Sequence, residues 1–292
     1  MTGRSDIAVL TNAQLTARIS DMGAELQALA PVGGPDLLWH GDPAHWGGRS
    51  PVLFPIVGRA EGDRIAVNGH VAQMAQHGFA RRSRFTRVAG DAGFCRHVLT
   101  GSDDSRASYP SDFRLELTHA LEGAALSVTA EVTNLDTTPM PFGLGFHPAF
   151  LWPLPGAEGQ PHHIRLDNGG APALARLRGG LMNDDRLPSP FRAGELVLDP
   201  AMFEADAMIF PEGAGEGLRY TAPGAPGLRF AFTGLPNLAL WSKPGAPFLC
   251  IEPWHGMAAA AGRGPEIAAR PWSITLPPGA SRSFGWRVTV EA

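Results

Sequence analysis

The chain has 292 residues, 44% of them apolar and only 18% charged, below the roughly 25% charged of an average soluble domain. Its 24 basic and 28 acidic residues leave a formal net charge of −4, which gives no electrostatic case for a nucleic-acid partner. Thirty-six glycines and 27 prolines argue for many turns and against long helices.

In chain order, Ile7-Ala8-Val9-Leu10 is an apolar stretch too short for a signal-peptide core. No uncharged apolar run reaches the ~18 residues of a membrane span, so a soluble, cytoplasmic protein with no membrane partner is expected. Leu15, Ala17 and Ile19 alternate with polar neighbours, the period of a half-buried strand. Leu115, Leu117, His119 and Leu121 share one face of a second run. After a turn at Glu122-Gly123, Leu126, Val128, Ala130 and Val132 share one face of a third, which predicts an antiparallel hairpin. Residues 153–195, rich in Gly, Pro, Ala and Arg, read as a long excursion on one face. Ala258–Ala261 is Ala-rich, but Gly262 stops it after one turn. Phe284, Trp286, Val288 and Val290 close the chain with another alternating strand. These elements predict an all-β fold, a large antiparallel β-sandwich with long loops, and a single domain over residues 1–292.

Two segments carry the chemistry. In Gly145-Phe146-His147-Pro148-Ala149-Phe150, an imidazole sits among apolar residues beside a proline. Such a histidine is more often a hydrogen-bonded core residue than a catalyst. Pro148, however, marks a strand end or edge, and Gly143 and Gly145 allow another group to approach the backbone closely. In Phe248-Leu249-Cys250-Ile251-Glu252-Pro253-Trp254, a carboxylate ends a buried run, a costly position unless it is paired or functional. The bland reading is a salt-bridged strand terminus. The functional one is a general base whose pKa is raised by burial, with Trp254 as an apolar face for a sugar ring. An acid and a base on two strand ends facing one pocket are therefore expected.

Gln76-His77-Gly78-Phe79-Ala80-Arg81 adds a second histidine in a turn and an arginine able to offer a fork of donors to hydroxyls or phosphate. The run Arg81-Arg82-Ser83-Arg84 is either a solvated loop face or an anion site beside His77. Arg59 follows a buried run at a glycine, and Asp206 is another acid in apolar company. His77, His147, Glu252 and His255 lack the short spacing of a metal motif, so no metal is expected. Cys95 and Cys250 have no CxxC spacing and fit buried thiols in a reducing compartment. Lys243 is the sole lysine, which leaves little room for Schiff-base chemistry. Without GxSxG, or GxGxxG in a βαβ setting, neither a serine nucleophile nor a nucleotide cofactor is expected.

The ordered segments Gly23–Leu29, Leu37-Leu38-Trp39, Pro51–Arg59, His77–Arg81, Gly145–Phe150, Asp206–Phe210 and Ile251–Trp254 resemble the aldose 1-epimerase (galactose mutarotase-like) family. The likeness spans roughly residues 20–255, and its specificity lies in order and spacing rather than in any one segment. It implies a galactose mutarotase-like supersandwich and cofactor-free interconversion of α and β anomers of an aldose. By the same resemblance His147 is the acid at the ring oxygen and Glu252 the base at the anomeric hydroxyl. His77 is a second catalytic histidine, and Arg59, Arg81, Asp206 and Trp254 contact substrate, with Arg64 an alternative to Arg59. The His-Gly-Phe-Ala-Arg form of the first-histidine segment is closer to a divergent bacterial-like branch and to hexose-6-phosphate epimerases, where Arg81, with Arg82 or Arg84, would hold a phosphate. A non-catalytic carbohydrate-binding protein on the same scaffold would need no matched acid and base. The sole expected partner is a small sugar, phosphorylated or not, and nothing in the residues bears on oligomeric state.

Overall fold

The strongest alternation in the sequence becomes the centre of the largest sheet. The computed structural model describes residues 6–291. Strands Phe113–Glu122 and Ala125–Asn134 form the predicted hairpin, turning at Gly123, whose φ of +56° suits a residue without a Cβ. Their register sets Leu115 against Val132, Leu117 against Ala130 and Leu121 against Leu126, so both apolar sets fall on one face. The C-terminal strand Ser281–Glu291 pairs with Ala125–Asn134 and sends Phe284, Trp286 and Val288 into the same core.

Among the described residues this sheet has nine strands. Beyond Ser281–Glu291 come Gly227–Thr233, Gly217–Thr221, His163–Leu166 and the edge strand Glu195–Val197, and on the other side Phe94–Thr100 and Thr86–Gly90. Residues 153–195 are therefore more than a surface excursion. Ile164 and Leu166 are buried while Arg165 between them is exposed, and this short alternation, set in Gly/Pro-rich surroundings, forms an interior strand. A smaller three-stranded sheet, Ile7–Thr11, Leu15–Ser20 and Leu26–Pro31, contacts the Phe94–Thr100 and Phe113–Glu122 strands through its first member.

Facing the large sheet is one of six strands, built around Phe248–His255. Asn237–Trp241 pairs on one side of it, with Met208–Phe210 beyond. On the other side lie Leu144–Phe146 and Ala149–Leu151, with Val52–Leu53 outside the former. Aromatic rings meet between the two sheets, Phe150 against Phe230 and Phe54 against Phe113, each with centroids 5.0 Å apart. The expected antiparallel sandwich is thus formed.

Phe248–Trp254 is buried on both faces. Leu249 and Ile251 join the main core, while Phe248, Cys250 and Trp254 face two smaller clusters with Trp39, Ala239 and Ala258. Double burial turns what would be an alternation into a continuous apolar run. Glu252 lies on the second of these faces. The Ala258–Ala261 stretch forms no helix, and both cysteines are free and buried.

Candidate active site

The pairings Gly145↔Trp254 and Ala149↔Cys250 flank His147-Pro148 with one unbroken register. That register sets His147 directly across from Glu252, on the same face. Glu252 is thus not at a strand end, as its position before Pro253 suggested, but inside the strand. Pro253 lacks a ladder donor, yet it remains paired with Leu238. His147 does follow a strand end: its N–H donates to the Pro51 carbonyl at 3.1 Å, and Ile251 N–H donates to the Pro148 carbonyl at 3.0 Å. The result is a His147 Nε2 to Glu252 Oε2 separation of 3.2 Å, with the residues only 7% and 1% exposed.

This pair lines a cavity of about 300 Å3 that also includes His77, Arg81, Asp206 and Trp254. His77 sits in a turn with φ of +66°, followed by Gly78 at +71°. A Cβ at Gly78 would fall 2.1 Å from the Phe54 carbonyl oxygen, so the turn requires glycine there. The His77 backbone N–H donates to the Gly58 carbonyl at 2.9 Å, and Gly58 N–H returns a bond to His77 Nδ1 at 3.0 Å. In the neutral ring this leaves Nε2 protonated, 3.2 Å from the Gln76 side-chain amide, which accepts from it with its oxygen turned toward the ring. The rings of His77 and His147 are perpendicular, 5.6 Å apart.

Burial dominates the electrostatics. It raises the Glu252 carboxyl well above the usual carboxylate range; the Asp206 charge adds to this and the Trp254 indole opposes it. Burial, then the charge of Arg81, lowers His147 to about 3. His77 is also pushed well below its ordinary value, first by burial and then by His147 and Arg81. Each group is driven toward its neutral form, which favours a proton shared by the two on the carboxyl rather than on the imidazole.

Of the other sequence candidates, Trp254 packs against Gly145, and Asp206 is held at φ of +65° at the cavity wall. Arg81 turns inward, donating to the Gln76 carbonyl at 2.8 Å, while Arg82 is exposed and Arg84 forks onto Asp6. Arg59 does not line the cavity: its guanidinium is bidentate to Asp63, four residues on, at 2.8 Å. Arg64 is exposed at the start of strand Arg64–Val67, and His255 bonds the Gly234 carbonyl outside the cavity. Cys250, His147 and Glu252 offer donor atoms within 4.8 Å of one another, a combination that could also hold a soft ion.

Three contributors were not read from the sequence. Trp46 and Trp241 flank the His147 ring at 4.8 and 5.7 Å. Arg270 is buried and donates to the carbonyls of Val57, Met257 and Arg59, fixing the backbone around Gly58 and Ala258 in the cavity wall. A tryptophan before Gly47-Gly48 was the available signal for Trp46; Arg270 had none. A larger groove of about 500 Å3 lies beside Trp152 and Lys243. Its one histidine, His162, is committed to Leu154 N–H and the Gln160 carbonyl, and no paired acid and base lines it.

The sequence profile described as aldose 1-epimerase matches residues 6–169, which include His77 and His147. The chain belongs to the aldose 1-epimerase family. Protein LacX of Lactococcus lactis subsp. lactis is 28% identical over 296 residues, covering 96% of this chain and 98% of that protein. A galactose mutarotase-like protein from Lactobacillus casei is 26% identical with a TM-score of 0.91, covering 98% of this chain and 100% of the other. A galactose mutarotase related enzyme from Lactobacillus acidophilus also gives a TM-score of 0.91, at 24% identity, over 98% of this chain and 97% of that one. These likenesses span Glu252 and the C-terminal strands, beyond the residues the family profile matches, and the fold is the galactose mutarotase-like sandwich.

Proposed function

We propose that the chain is a cofactor-independent aldose 1-epimerase that interconverts the α and β anomers of a hexose. The observation that carries this reading is the buried contact of 3.2 Å between His147 and Glu252 at the wall of an aromatic-lined cavity. The two oxygens an anomer exchange must address, the ring oxygen and the anomeric hydroxyl, are bonded to the same carbon. An acid and a base serving both must stand close together. Glycosidase carboxylates, which span a scissile bond, stand ~5 Å or more apart.

In this reading substrate hydroxyls solvate the pair on binding and the proton passes from Glu252 to His147. His147 then protonates the ring oxygen while Glu252 takes the anomeric proton. The C1–ring oxygen bond breaks to give the open aldehyde, C1 rotates, and closure on the other face reverses both transfers. Ring opening returns the pair to neutral imidazole and neutral carboxyl, the forms burial favours. His77, its ring oriented by Gly58, donates from Nε2 near the reacting centre, and Trp254, Trp46 and Trp241 offer apolar faces to the sugar.

Arg81 is the observation that favours a phosphorylated hexose as second reading: it lines the cavity and its Nε has no hydrogen-bond partner among the described residues. The test is anomer exchange by polarimetry or NMR on fresh α-glucose, α-galactose and glucose 6-phosphate, with the native protein beside Glu252→Gln and Arg81→Gln. Acceleration over the spontaneous rate, lost in Glu252→Gln, supports the epimerase. Preference for glucose 6-phosphate, lost in Arg81→Gln, moves the substrate to the phosphorylated class. A folded native protein that binds these sugars without acceleration sinks the catalytic reading.

A further inference from the structure

A second polar cluster lies inside the sandwich, and the epimerase chemistry makes no use of it. Cys95 and His97 alternate onto the buried face of strand Phe94–Thr100, and His119 stands on the next strand directly opposite Cys95. All three are buried, at 1%, 0% and 2% exposure, on the face that Leu115, Leu117 and Leu121 fill with aliphatic groups. None lines the cavity of His147 and Glu252.

We propose that Cys95, His97 and His119 form a buried site for a soft monovalent metal ion, Cu+ being the natural case. One donor atom from each residue lies within 4.8 Å of the other two. Bonds of ~2.0–2.3 Å place tetrahedral ligand atoms roughly 3.3–3.8 Å apart, so capture asks only for small side-chain rotations. One thiolate and two imidazoles are the donors that soft ions select.

Two further observations point to a ligand. Nδ1 of His119 has no hydrogen-bond partner among the described residues, although the side chain is sealed in the core. An unpaired buried polar atom costs free energy, and an ion is one explanation for its retention. Asp21 Oδ1 lies 3.0 Å from Nε2 of His97, which supplies the carboxylate–histidine arrangement that orients metal-binding imidazoles.

Charge selects the valence. Asp21 is paired with Arg87 at 3.4 Å, and both side chains are nearly buried. Burial pushes the Cys95 thiol up to about 12, so binding the ion breaks the S–H bond and releases its proton to solvent. With Cys95 then a thiolate and both imidazoles neutral, a monovalent ion leaves the group electroneutral. A divalent ion would leave one surplus positive charge in the core, which burial opposes.

Because the site is sealed, the test loads the ion during folding. The full chain is refolded anaerobically with excess Cu+ and exchanged against a colorimetric Cu+ chelator, with Cys95→Ser, His119→Gln, Asp21→Asn and Cys250→Ser beside it. Native protein and Cys250→Ser should each keep one equivalent, with X-ray absorption showing one sulfur and two nitrogen neighbours. Cys95→Ser and His119→Gln should keep none, and Asp21→Asn should bind about 10–100-fold more weakly. The ion should raise the melting temperature of the native chain and leave that of His119→Gln unchanged, a readout that survives if Cys95→Ser does not fold. No retention by the native protein, retention unchanged in His119→Gln, or loss in Cys250→Ser would each overturn the proposal.

Discussion

His147 and Glu252 are cross-strand neighbours, each followed by a proline, in a register that runs unbroken from Gly145↔Trp254 to Ala149↔Cys250. Side chains directly opposite on one face of an antiparallel pair are within contact distance by construction, so the sheet itself presets the 3.2 Å separation. If the pair moves the protons, Glu252→Gln and His147→Asn should each lower kcat about 10²–10⁴-fold while sugar affinity changes only a few-fold. The double variant should be little worse than either single one, because acid and base act as a unit. Stopped polarimetry with isothermal titration checks both numbers. Equal loss of affinity and of melting temperature in both single variants would assign the pair a structural role.

The same burial sets the pH behaviour. In the epimerase reading the active free form carries one proton on the pair. A second proton must go onto His147, lowered to about 3, and removal of the first must titrate Glu252, which is raised. The profile of kcat/KM should therefore be flat through pH 6.5, with its acid limb far below and its fall on the alkaline side. An acid limb centred near 6.5 would mean that His147 titrates as an exposed imidazole.

Stability should follow the signs of these shifts. His147 and His119 are both lowered to about 3 by burial, so their contribution is full above the ordinary histidine value of 6.5 and is lost as pH falls from there through about 3. Glu252 is raised, so its contribution is full below the ordinary carboxyl value and is lost as pH rises through its folded one. Denaturant midpoints across pH should decline on the acid side below 6.5, and His119→Leu should flatten part of that decline.

The sandwich was legible wherever one face of a strand meets the core and the other meets water. Leu115–Leu121 and Leu126–Val132 alternate for that reason, and they pair as read. Phe248–His255 gave no alternation because clusters cover it on both sides, and Glu252 stood out only as a charge in an apolar run. Arg59 looked like a ligand from its place after Gly58, but Asp63, four residues on, engages its guanidinium. Trp46, Trp241 and Arg270 reach the site through tertiary contacts from distant loops and strands, which local pattern does not encode.

Two glycines two residues apart offer a controlled test of the packing behind Trp254. A Cβ at Gly145 would lie 2.5 Å from Trp254 Cδ1, so Gly145→Ala must displace the indole that lines the cavity. A Cβ at Gly143 would meet nothing closer than 3.5 Å. Overpacking of this kind costs about 1–3 kcal/mol. Gly145→Ala should lose about that much stability and raise KM, with intrinsic tryptophan fluorescence shifted, whereas Gly143→Ala should stay within roughly 0.5 kcal/mol of the parent. Similar behaviour of the two variants would remove Trp254 from the sugar platform.

Arg270 tests whether the cavity wall needs its buried cation. Its Nη2 donates to the carbonyls of Val57 at 2.7 Å, Met257 at 3.0 Å and Arg59 at 3.3 Å, and burial lowers the guanidinium to about 10, still charged at neutral pH. Arg270→Met fills the space but strands the carbonyls of Val57 and Met257, while that of Arg59 keeps the Ala259 N–H at 2.9 Å, a loss of about 2–4 kcal/mol. Arg270→Lys keeps the charge without the planar fork and should recover only part of that. Because Gly58 N–H orients His77, the Met variant should also lower kcat under conditions where it remains folded. Urea unfolding with an unchanged m-value, together with anomer exchange at saturating sugar, separates the two effects. A destabilised Arg270→Met with native kcat would confine Arg270 to folding and leave the orientation of His77 to Gly58 and Gln76 alone.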